Sequence, residues 1–249
     1  MDITIDHEIR YITDLARIEL KLKNSKEPIF KKKFRKFSEN SNLLKNYFIK
    51  AKKINKIILR PLPYNSKKLY FDQINSLKQN FIKNLKIPKR IKIIESLQIP
   101  NFNYVKYKDF KKLIKNYNQF DLNVEWYINH SNLSDYKKVF KYIDLKKNSL
   151  CLEISNPNKY TDYVVSILQN KNKIKILVPS FSRLNCFKTK YEKFFNKKNV
   201  YFITSSAYSF SKWHNLIRTT YKEDKIVFGT DHPFNDNKSL KIYNYFKNI

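Results

Sequence analysis

Glycine is almost absent from this chain: Gly229 is its only one in 249 residues, where ordinary usage of ~7% would supply roughly 17. Glycine serves close backbone approach and positive φ, so its single use marks a position where no other residue would do. Cysteine is nearly as rare. Cys151 and Cys186 cannot form a disulfide framework and suit a reducing compartment. No run approaches the ~20 apolar residues of a membrane span, which excludes a membrane role of that kind. Asp2, Asp6, Glu8 and Arg10 interrupt any apolar segment at the start, so no secretory signal is read there. The expectation is a soluble, cytoplasmic protein.

Acidic residues are also few, 21 against 51 Lys and Arg, leaving a formal charge of +30. A surface of that sign suits nucleic acid. The basic residues are spread along the whole chain, however, and the densest run, from Lys31 to Phe37, is short. Lys, Asn, Ile, Tyr and Phe are abundant while Gly, Ala and Trp are scarce, the pattern of AT-rich codons. That bias accounts for the charge without a polyanionic partner, and nucleic-acid binding stays a lesser alternative. The hydrophobic share of 42% argues against wholesale disorder despite the charge.

Short apolar runs alternate with amphipathic stretches. The runs predict strands at Asp2–Ile5, Lys56–Leu59, Arg90–Glu95, Leu122–Ile128, Ser149–Ile154, Ile174–Val178, Val200–Thr204 and Lys225–Phe228. Helices are predicted at Lys68–Leu85, Tyr107–Tyr117, Ser134–Ile143, Lys159–Gln169, Ser209–Thr219 and Lys238–Phe246, with another around Ser41–Lys52. Ser134–Asp135 and Thr161–Asp162 supply helix-start chemistry. Parallel strands alternating with helices are the α/β pattern, and eight units in this length predict a (β/α)8 TIM barrel. A doubly wound open sheet is the alternative, because spacing does not show closure. Without linkers or repeats, residues 1–249 are expected to form a single domain with a long, Lys-rich first βα connection (about 7–55). Within it Glu8–Leu20 has a helical period, with Ile12, Leu15, Ala16 and Leu20 on one face.

The glycine lies in KIVFGTDHPF, an apolar strand ending in Gly229, Thr230, Asp231, His232 and Pro233. A carboxylate at the C-terminal tip of a buried strand is where α/β folds place chemistry. This phrase, preceded at the right spacing by NVYFITSSAYS, resembles the close of the amidohydrolase-related metal-dependent hydrolases. KINKIILRPLPYN, RIKIIESLQIPN and KIKILVPSFSR are similar to that family's second, third and sixth strands. The resemblance implies a TIM barrel with a metal site built from a His-x-His pair after strand one, a His after strand five, another after strand six and an Asp after strand eight. Carried over, the Asp is Asp231, the pair falls on His7 and Ile9, the strand-five position on Glu153 and the strand-six position on Ser180. His7, Glu153 and Asp231 would thus form an incomplete site for a divalent metal such as Zn, Mn or Fe, harder in character than a His-rich zinc site. Without metal, Asp231 would act as general base on water, with His7, Arg60 or Arg183 stabilising an oxyanion.

The catalytic expectation is therefore Asp231, His7 and Glu153. Arg60, His130, Arg183 and His232 follow as substrate-binding candidates, the arginines toward a substrate carboxylate. Glu153 depends on side-chain phase: pointing inward it must be paired or titrate, and a one-residue slip turns it outward. His214, on a predicted helix, reads as structural. The resulting expectation is an amidohydrolase-like hydrolase or lyase for a small carboxylated or cyclic substrate. The alternatives are an inactive barrel that binds or scaffolds, as the absent histidines at Ile9 and Ser180 suggest, and a basic nucleic-acid-binding protein.

Overall fold

The computed structural model describes residues 2–11, 40–61, 66–76, 87–124, 133–145, 148–154, 159–179, 190–205, 223–230 and 236–248. Eight strands alternate with helices: β1 (Ile5–Tyr11), α1 (Asn40–Lys50), β2 (Lys56–Pro61), α2 (Lys67–Ser76), β3 (Lys92–Gln98), α3 (Tyr107–Ile114), β4 (Gln119–Asn123), α4 (Leu133–Leu145), β5 (Ser149–Glu153), α5 (Lys159–Gln169), β6 (Lys175–Val178), α6 (Glu192–Phe195), β7 (Val200–Ile203), β8 (Ile226–Val227) and α7 (Asp236–Lys247). Every pairing of neighbours is parallel, and the strands lie in sequence order from β1 to β8. That order removes the doubly wound alternative, which requires a reversal of strand order. The ends of the sheet meet: His7 N–H donates to the Phe228 carbonyl at 2.9 Å, and the Thr230 amide and hydroxyl donate to Asp6 at 3.1 and 2.7 Å. The expected (β/α)8 barrel is the fold observed.

Two periodicities build the layers. In α4 the buried residues are Tyr136, Val139, Phe140 and Ile143, and in α5 they are Thr161, Val164, Val165 and Leu168. Both follow the i, i+3, i+4, i+7 stripe of a helix packed on one side. Along the strands, alternate residues such as Ile57, Leu59, Leu97, Phe120, Leu122, Leu150, Leu152, Ile176 and Phe202 join the helix stripes in one large core. The opposite phase lines the barrel interior, where Cys151, Leu177 and Ile203 pack together. Aromatic abundance is a packing feature: of the ten largest fully buried side chains among the described residues, nine are Tyr or Phe and the tenth is Arg60.

Several expected boundaries move. The first strand runs from Ile5 to Tyr11 rather than Asp2–Ile5. Asp2 instead turns back to accept bonds from the Thr4 amide and hydroxyl, a local turn that competes with strand pairing. Glu8–Tyr11 are therefore strand and not the start of a helix, and the long first connection begins after Tyr11 rather than at residue 7. β4 begins at Gln119, three residues before the expected Leu122. Asp162 does not cap its helix: its carboxylate accepts bonds from Lys190 and Tyr191 at 2.6 and 2.5 Å. The expected helix at Ser209–Thr219 lies outside the described residues.

Candidate functional site

The C-terminal ends of the strands carry the chemistry in this architecture, and here β1 arrives there out of step. Its register with β2 runs Asp6 to Ile57 but Ile9 to Leu59. Three steps on one strand against two on the other make a β-bulge, with His7 and Glu8 together opposite Ile58. The side-chain phase slips by one. Before the bulge, Asp6 faces the helices, where Tyr47 donates to it at 2.8 Å. After it, Ile9 and Tyr11 join the helix-facing core while Glu8 and Arg10 turn inward. Gly229 makes room for this detour. A Cβ there would collide with Ile203 Cγ2 and lie 3.3 Å from both Cβ and N of Glu8. The sole glycine is thus a close approach between β8 and the bulge. Thr204 brackets it, its hydroxyl donating to the Gly229 carbonyl at 2.7 Å and accepting from the Gly229 amide at 2.9 Å.

The inward residues form a charge cluster. Arg10 Nη2 lies 2.5 Å from Glu8 Oε1 and 3.4 Å from Glu153 Oε2, and Arg10 Nη1 donates to the Pro61 carbonyl at 3.2 Å. The Ser205 hydroxyl donates to the other Glu8 oxygen. Burial raises the Glu153 carboxyl above its ordinary range; Arg10 works against this, while Glu8 and Asp121 add to it. Beside this cluster Arg60, fully buried, pairs through Nη1 with Asp121 and donates from Nε to the His7 carbonyl at 2.7 Å. Burial works against the Arg60 cation, but Asp121 and Glu8 more than offset it, and its pKa lies above the usual value. Arg60 Nη2, Asp121 Oδ2, Ser96 Oγ, Gln98 Oε1 and His7 Nδ1 are buried without a hydrogen-bond partner among the described residues. Buried polar atoms of that kind are ordinarily satisfied by water or a ligand.

His7 is not drawn into the cluster. Burial depresses its pKa to about 3, and Lys175, Arg60 and Lys56 reinforce the shift against Asp2 alone. The imidazole is neutral in the fold. Asp6, at the seam, is pushed up to about 6 by burial, a shift moderated by the bonds from Thr230, Glu8 and Tyr47.

Of the residues singled out from sequence, the structure brings Glu153 inward beside Arg10, puts Arg60 in a buried pair, and sets His7 in the bulge. Asp231, His232, His130, Arg183, Ser180 and His214 lie outside the described residues. Glu8, Arg10, Asp121 and Asp6 escaped sequence reading. Part of the signal was there: Glu8 and Arg10 stand two residues apart in IDHEIRY, the period of one strand face, but that segment also fits a helical period.

No family model matches the sequence, and no curated protein does either. Solved structures do match. A putative amidohydrolase from Staphylococcus aureus superimposes with a TM-score of 0.66 at 11% identity, over 96% of this chain and 91% of that one. The chain has the TIM-barrel fold, shared with that structure. A dihydroxybenzoic acid decarboxylase from Polaromonas, solved with manganese and 2-nitroresorcinol bound, gives a TM-score of 0.66 at 12% identity over 98% of this chain and 91% of that one. A probable 2-pyrone-4,6-dicarboxylic acid hydrolase from Acinetobacter baumannii, with citric acid bound, gives 0.60 at 13% identity over 98% and 93%. The fold expected from the FGTDHP phrase is therefore found, in company that includes both hydrolases and decarboxylases.

The donor chemistry does not fit a metal at the β1–β5 corner of this barrel. Glu8 and Glu153 are engaged by a guanidinium, and the cations around His7 oppose a further one. Among the described residues no three His, Cys, Asp or Glu side chains are grouped to hold a metal.

Proposed function

We propose that this barrel is a hydrolase or decarboxylase acting on a small carboxylated or cyclic substrate at its C-terminal mouth. The observation that carries the reading is the cluster of Glu8, Arg10 and Glu153 on inward faces at the ends of β1 and β5. Glu153, whose carboxyl is held above its ordinary range, is the proton donor and acceptor in this reading, with its charge state tuned by Arg10. Asp231, four residues after β8 in the sequence, is assigned the role of general base on water or substrate. Arg60, with one nitrogen unpartnered among the described residues, is the group that meets a substrate oxyanion or carboxylate, since guanidinium forks match such oxygens. Arg183, His130 and His232 are assigned to substrate contact, and neutral His7 to hydrogen bonding rather than charge. No step runs through a metal, because the carboxylates at the β1–β5 corner already hold a cation.

The substrates named for the neighbouring structures define the first panel: dihydroxybenzoates and 2-pyrone-4,6-dicarboxylate. Turnover is followed by ultraviolet absorbance for wild type, Asp231→Asn and Glu153→Gln. Loss of a positioned acid or base costs typically 10²–10⁴-fold, and both variants should fall by about that much on a substrate the wild type converts. Turnover undiminished in both variants would refute the assignment.

A second reading is favoured by one observation. Where the resemblance calls for a second histidine, Ile9 is fully buried in the helix-facing core. An inactive barrel that binds such compounds would raise its melting temperature with them and convert none.

A further inference from the structure

We propose that Arg10 is the resident cation of this barrel mouth, occupying with its guanidinium the place between Glu8 and Glu153 that a divalent ion would otherwise take. Metal occupancy at this corner is a separate matter from whether the barrel turns over a substrate. The device begins with the bulge. Without the extra residue at His7–Glu8, the phase that turns Asp6 outward would turn Glu8 and Arg10 outward as well, and would leave His7 and Ile9 as the inward pair. The slip turns Glu8 and Arg10 inward and takes Ile9 out to the helix-facing core. The exchange is built into the packing: Ile9 and Tyr11 are committed to the helix-facing core, and Gly229 gives the clearance that the detour requires.

Two inward carboxylates need a positive charge within a few ångströms, and Arg10 supplies it. One nitrogen reaches both, at 2.5 Å to Glu8 and 3.4 Å to Glu153, while the other is anchored on the Pro61 carbonyl at 3.2 Å. The second oxygen of Glu8 receives the Ser205 hydroxyl. A dication entering here would meet a fixed like charge, and displacing Arg10 would part a buried guanidinium from both carboxylates, which is strongly unfavourable. Arg60, on the neighbouring strand and paired in register with Arg10, adds a second positive charge on that side. Lys175, Arg60 and Lys56 together oppose a further charge at His7, the metal-ligand type nearest in sequence. The corner is therefore closed to metal by its own side chains.

The test is equilibrium dialysis of the full chain against excess Zn²⁺ or Mn²⁺, removal of free ion, and elemental mass spectrometry, with circular dichroism to verify folding. Wild type should retain far less than one equivalent. Arg10→His removes the guanidinium and puts an imidazole beside Glu8 and Glu153, and it should retain close to one equivalent of zinc. That zinc should be lost again in Arg10→His/Glu153→Gln. If Arg10→His does not fold, Arg10→Gln leaves an amide oxygen with the two carboxylates and is read for manganese in the same way. Near-stoichiometric zinc or manganese on folded wild type would overturn the inference. So would a folded Arg10 variant that holds no more metal than wild type.

Discussion

Replacing Gly229 by alanine tests whether the bulge and the sole glycine are one device. Where the backbone tolerates a side chain, Gly→Ala stabilises by about 0.4–1 kcal/mol through the unfolded chain, and Gly229 does not occupy the positive-φ region that forbids one. Packing alone therefore sets the sign. The new methyl would fall inside 3.0 Å of Ile203 Cγ2 and at 3.3 Å from Glu8 Cβ and N. Ile203 is fully buried and packed against Cys151 and Leu177, so it has little freedom to yield. Overpacking a dense core costs roughly 1–3 kcal/mol, which leaves a net loss of about 1–2 kcal/mol once the unfolded-state gain is subtracted. For a chain of this size that is a fall in Tm of about 2–8 °C. Ile203→Ala removes the clashing methyl; alone it should cost about 2–5 kcal/mol as a cavity. In the double variant the methyl introduced by Gly229→Ala takes part of that cavity, so the two losses should fall short of additivity by at least ~1 kcal/mol. Urea unfolding of the four proteins, followed by circular dichroism, measures the cycle. Gly229→Ala as stable as wild type, or a strictly additive double variant, would refute the argument that this glycine exists for clearance.

Two pH dependences of opposite sign follow from the seam. His7 is depressed from 6.5 to about 3, so its contribution to stability, roughly 4–5 kcal/mol at most, is present above pH 6.5 and lost as pH falls toward 3. His7→Gln should flatten that slope in urea titrations at stepped pH; an unchanged slope would mean the imidazole titrates normally in the fold. Asp6 is raised from 3.8 to about 6, so its contribution is complete below pH 3.8 and lost as pH rises through 6. The stability difference between wild type and Asp6→Asn should therefore fall by about 3 kcal/mol across that window. Removing one partner of the buried Arg60–Asp121 pair should cost about 3–5 kcal/mol, whereas Arg60→Met/Asp121→Leu should recover much of it. A double variant no more stable than Arg60→Met would show that the pair is not what strands the charge.

The eight-unit alternation was legible in the sequence, and with it a parallel α/β sheet. Period-two apolar residues from Lys56 to Val227 and period-3.6 stripes such as Tyr136, Val139, Phe140 and Ile143 are local signals, legible because strand and helix differ in the face they bury. The sequence also marked Gly229 as the point of closest approach, since one glycine in the whole chain stands out without any fold. Which way the first strand faces was not legible there and follows from the folded contacts. A slip of one residue exchanges the inside and outside of a strand, and the slip at His7–Glu8 depends on β2 alongside it and on Gly229, more than two hundred positions away. The same holds for Glu153. In the chain it is one carboxylate in an apolar run, and its inward phase and its partner Arg10 exist only once β1 and β5 face each other across the barrel. Closure belongs here too, because the clasp between Asp6 and Thr230 joins the two ends of the sheet, and no local pattern records a contact of that span.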